Sequence, residues 1–72
     1  MDAKEKDKLL KDLESRIPGM KNPITRMALD RSIKQFQQTQ AIIGKEKCRK
    51  MIELQSLTQD QKDYIYLKMG WL

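Results

Sequence analysis

The 72-residue chain contains no histidine and no valine, a single cysteine, and only four aromatic residues: one phenylalanine, two tyrosines and one tryptophan. Without histidine, the side chain most used for proton transfer near neutral pH is missing. Histidine triads, His/Cys metal sites and histidine-activated cysteines are therefore excluded. One cysteine cannot close a disulfide within the chain, which fits a reducing compartment. Uninterrupted aliphatic runs reach three residues at most, as in Ala41-Ile42-Ile43, far short of a membrane span. Gly19, Gly44 and Gly70 stand isolated, so there is no glycine-rich phosphate loop. The opening residues Met1-Asp2-Ala3-Lys4-Glu5-Lys6 carry no apolar stretch of the signal-peptide kind, and cytoplasmic location is the expectation.

These absences point away from catalysis. Carboxylates and lysines remain as possible reactive groups, but a chain this short rarely encloses a pocket that shifts their pKa far enough. The expectation is a non-enzymatic protein with no cofactor, no metal and no small-molecule substrate. A single small domain over 1–72 buries only about 60% of its unfolded surface, so a partner or a second copy would add materially to its stability.

What is present is helical. Leucine, lysine, glutamine, isoleucine and methionine dominate, and no segment alternates with period two. Residues 2–17 read as a first helix, with Ala3, Lys6, Leu10, Leu13 and Ile17 on one face and Leu9 widening it. Asp2–Lys6, Asp7–Lys11 and Asp12–Arg16 are spaced as acid-first i,i+4 pairs. Pro18-Gly19 ends the helix.

Asn22-Pro23 opens a second helix, with the amide as N-cap and proline at the first position. The stripe Leu29, Ile33, Phe36, Gln40, Ile43, Lys47, Met51, Leu54 passes Gly44 without losing register. That continuity favours one rod over about 23–55, roughly 50 Å long, with Gly44, which costs about 1 kcal/mol in a helix interior, as its soft point and possible break. Thr58-Gln59-Asp60-Gln61 matches a capping box and starts a helix over about 59–69, ended by Gly70, with Trp71 placed to pack on Tyr66. The expected architecture is all-α: a long central helix with a short antiparallel helix packed on each half.

Leu57 through Leu67 resembles the first helix of sigma-factor-type helix-turn-helix modules. The likeness covers about a dozen residues, too few to imply a function.

Charge is uneven along the chain. Residues 2–17 hold five basic and five acidic groups and residues 56–72 hold two of each, so the net charge of +5 lies wholly between 18 and 55. On a continuous helix Arg31, Lys34, Lys45 and Arg49 fall within about 60° of one another with Gln38 among them, a stripe suited to phosphates or an acidic partner. Gln40 and Lys47 interrupt the apolar seam at positions where polar residues set register and oligomer state in coiled coils. Ile24, Met27, Ile42 and Ile52 lie away from the seam, more apolar surface than two short helices can cover. With five methionines suited to adaptable contacts, this surplus points to a second interface. The preferred reading is a small regulator, inhibitor or adaptor that binds another protein, as a homo-oligomer such as a dimer. The alternative is a nucleic-acid-binding protein using the basic stripe.

Overall fold

A computed structural model describes residues 2–72. It is all-helical: α1 (Ala3–Arg16), α2 (Pro23–Ile43), α3 (Lys45–Glu53) and α4 (Gln59–Met69). No helix among the described residues is long and apolar enough to cross a membrane.

Local sequence chemistry sets most of the boundaries. Asp2 caps α1 by accepting the Glu5 N–H at 2.8 Å, and extended backbone at Ile17 ends it before Pro18. Of the three spaced ion pairs only Asp7–Lys11 forms, at 3.4 Å. Asp2 is occupied as the cap, and Arg16 turns instead to Asp60 of α4 at 3.8 Å. Asn22 accepts the Ile24 N–H at 3.0 Å, with Pro23 at the first position of α2. The Thr58 capping box is complete, Gln61 N–H donating to Thr58 Oγ1 and Thr58 N–H to Gln61 Oε1. Gly70 closes α4 in the left-handed conformation, and Trp71 N–H returns to the Tyr66 carbonyl at 2.9 Å. This return stacks the Trp71 and Tyr66 rings with centroids 5.6 Å apart.

The continuous 23–55 helix is not formed. A 50 Å rod would exceed the longest dimension of the fold, 31 Å. The chain turns back at Gly44, whose φ of +90° and ψ of 164° lie in a region essentially confined to glycine. Gly44 serves both helices: its N–H closes α2 on the Gln40 carbonyl at 2.9 Å, and its carbonyl accepts the Cys48 N–H that opens α3, at 3.1 Å. The reversal folds α3 back along α2, and the Cys48 thiol donates to the Phe36 carbonyl at 3.4 Å. Cys48 and Ile52 thereby enter the core, while Lys47, Met51 and Leu54 of the expected seam face outward. Burying a large apolar side chain yields about 1.5–3 kcal/mol, which a straight helix would forgo.

The central element is also different from the one expected. Tyr64, Ile65, Tyr66 and Leu67 are four consecutive buried residues, covering most of the circumference of α4. A helix buried on nearly every side must be surrounded, and α4 is. It packs on α1 and on α2, and α3 reaches it through Glu53. Leu13, Ile17, Met20, Ile33, Cys48 and Ile52 complete the core, with Leu9, Leu10, Leu29, Phe36, Leu57, Met69 and Trp71 at its margin.

Polar contacts clasp the helices around this core. Arg26 of α2 meets Glu14 of α1 at 2.9 Å. Glu53 of α3 accepts the Tyr66 hydroxyl on Oε1 and Lys62 on Oε2, the latter at 3.3 Å. These hydrogen bonds, from Tyr66 first and then Lys62, hold the Glu53 carboxyl below its ordinary value. Burial, then the bond to Glu53, push the Tyr66 phenol up to about 12. A phenol raised on folding stabilises fully below its unfolded pKa of about 10, and that contribution fades as pH climbs toward the folded value. The thermal midpoint is therefore expected to fall across this alkaline window. Tyr66→Phe should flatten the fall without abolishing it, since burial also raises Tyr64. Melting curves from pH 8 to 12 that superimpose for both proteins would refute the assignment.

Candidate functional site

α2 is the only helix among the described residues long enough to span the whole fold, about 31 Å for 21 residues. Its two faces are distinct. Leu29, Ile33, Phe36 and Gln40 point inward, buried or half-buried. Half a turn away, Ile24, Met27, Arg31, Lys34, Gln38 and Ile42 are all exposed. Their spacing of 3, 4, 3, 4 and 4 gathers them on one ridge. Ile24 is 78% exposed, Met27 58% and Ile42 84%, values that leave more than half of each residue in water.

The ridge has an order along its length. Ile24 and Met27 form an apolar end, Arg31, Lys34 and Gln38 a basic and polar middle, and Ala41 and Ile42 a second apolar end. Two shallow open depressions mark it, one lined by Met27, Asp30, Arg31 and Lys34, the other by Ile24, Met27, Ala28 and Arg31. Asp30 is the only carboxylate nearby and sits at the edge of the ridge rather than on its crest.

The structure keeps some of the expected site residues together and separates others. Arg31, Lys34 and Gln38 share the ridge, but Lys45 and Arg49 do not extend it. The break at Gly44 carries them to α3, where Lys45 lies 5.8 Å from the centre of the Trp71 ring and Arg49 5.4 Å from that of Tyr66. The two cations thus cover the aromatic end of α4. Ile52 is fully buried and leaves the set of interface candidates, while Ile24, Met27 and Ile42 stay in it. Gln40 is half-buried at the core margin and Lys47 is exposed, so the two no longer belong to one seam.

Three further hydrophobic side chains are exposed outside the ridge. Ile43, Met51 and Leu54, assigned to the seam by phase, are exposed on the α2–α3 hairpin, Leu54 at 86%. Ile43 is exposed at the end of α2, and the reversal at Gly44 turns Met51 and Leu54 outward, which nothing in the spacing signals. Among the described residues, no three His, Cys, Asp or Glu side chains come together as a metal-binding group. The chain matches no known protein family, no characterised protein and no solved structure.

Proposed function

We propose that this chain is a non-enzymatic interaction protein, a regulator, inhibitor or adaptor that acts by binding another protein through the outward ridge of α2. The supporting observation is the exposure of Ile24, Met27 and Ile42 on one ridge opposite the core. Single exposed hydrophobes are ordinary, but three on one straight helix, placed at both ends of a basic centre, form a contact surface. A free, buried Cys48 accords with a reducing, cytoplasmic setting.

The nucleic-acid reading has less to stand on. With Lys45 and Arg49 engaged at aromatic rings, the ridge offers two cations instead of four. Two neutralised phosphates give a log–log salt slope of about −2, too shallow for firm binding at physiological salt.

The triple variant Ile24→Ser, Met27→Ser, Ile42→Ser tests the proposal, because these side chains contribute little to the core. Its helical content and thermal midpoint are expected to match those of the parent. Cross-linking in the native host is expected to join the parent, and not the variant, to a partner protein. Identical cross-linking of the two would refute the role of the ridge.

A further inference from the structure

Resting on the ridge as an interface, we infer that its occupant is a protein helix with acidic residues at its centre and an apolar anchor toward each end. Shape argues for a helix. The ridge is convex and straight, and its residues recur at 3 and 4, the spacing that side chains of a second helix interlock with. Met27 and Ile42 are 15 residues apart, which sets the two apolar anchors about 22 Å from each other. The partner helix therefore needs about five turns, with apolar groups two heptads apart.

Charge argues for the acidic centre and against a second copy of this chain. Two α2 ridges packed in parallel would set Arg31 and Lys34 against their own counterparts. Packed antiparallel about residue 33, they would satisfy the apolar ends, Ile24 meeting Ile42. Arg31 of each would still lie opposite Lys34 of the other. Either way four cations meet, and the positions flanking the crest, Ala28, Asp30, Gln35 and Gln37, supply only Asp30 to offset them. Like charges set face to face across a contact suppress the pairing, whereas opposite ones steer and select the partner. Carboxylates at the middle of the incoming helix convert the same geometry from repulsion to attraction.

The chain itself supplies the probe. The double variant Arg31→Glu, Lys34→Glu leaves both apolar ends in place and makes the centre of its ridge acidic. It is thus a folded example of the inferred partner. Sedimentation velocity at low salt is expected to show parent alone and variant alone as monomers, and their equimolar mixture as a heterodimer. The mixed affinity should exceed either self-affinity at least about tenfold and weaken as salt is raised.

A parent that dimerises alone, and whose dimer dissociates in the Ile24→Ser, Ile42→Ser variant, would overturn the inference in favour of a second copy. A mixture that stays monomeric would overturn it outright. Heterodimers of unchanged affinity when both components carry Ile24→Ser and Ile42→Ser would show that the apolar ends are not the contact, and so refute the underlying reading. Duplex DNA that binds the parent at physiological salt and is released by Arg31→Glu, Lys34→Glu alone would assign the basic centre to phosphates.

Discussion

Ile65→Ala is expected to destabilise the protein by about 2–5 kcal/mol, the range for removing a large aliphatic side chain from a packed interior. Ile65 is fully buried in the middle of α4, between Tyr64 and Tyr66, in the helix that α1 and α2 both pack against. A domain of 72 residues has a total stability of roughly 4–11 kcal/mol. Cutting one side chain back to a methyl at this point therefore removes a large part of the whole. In thermal unfolding the midpoint should drop by at least about 8 °C, at roughly 4–8 °C per kcal/mol for a chain of this size. Ile24→Ala serves as the contrast. Its parent residue is the same type but 78% exposed, and its midpoint should stay within a few degrees of the parent protein. Equal losses for the two variants would mean that α4 is not the centre of the core.

Gly44→Ala is expected to cost about 1–3 kcal/mol, or about 4–24 °C in the midpoint. Space is not the reason, since a Cβ built at Gly44 meets nothing within 4 Å. The cost is conformational: an L-residue held at φ +90° and ψ 164° is strained. Straightening the chain into one helix would relieve the strain and gain about 1 kcal/mol of helix propensity. It would also bare Cys48 and Ile52 and pull Glu53 from Tyr66. Both routes lose stability. Chemical synthesis offers a sharper form of the experiment, because D-alanine at this position has the mirrored preference and lies close to an allowed region. The D-variant should match or exceed the parent, as it also narrows the unfolded ensemble. Loss in the L-variant with retention in the D-variant would establish the positive φ as the cause. An L-variant as stable as the parent would refute the hinge.

The helix boundaries were legible because short-range chemistry sets them. Asp2, Asn22 and Thr58 are N-caps, Pro18 and Pro23 restrict the backbone on either side of the first turn, and Gly70 supplies a left-handed C-terminus. Each interaction spans a few residues, so the local sequence contains both partners. Of the candidate site, Ile24, Met27, Arg31, Lys34, Gln38 and Ile42 were legible for the same reason. They lie on one uninterrupted helix, where spacing alone assigns a face.

Tertiary structure decided the rest. Heptad phase runs through Gly44 because a glycine in a helix and a glycine in a reversal occupy one position each in the count. The choice between them depends on whether Cys48 and Ile52 find cover on α2 and α4, and that cover is remote in sequence. The same reversal exposed Met51 and Leu54, buried Ile52, and moved Lys45 and Arg49 onto aromatic rings. The central place of α4 was equally invisible to periodicity, since four consecutive buried residues have no preferred face. The absences of the opening composition did fix one thing without help from the fold. With no histidine and a single cysteine, neither histidine chemistry nor a disulfide within the chain is open to it. Three-dimensional packing then selected which of the side chains that are present remain on the surface.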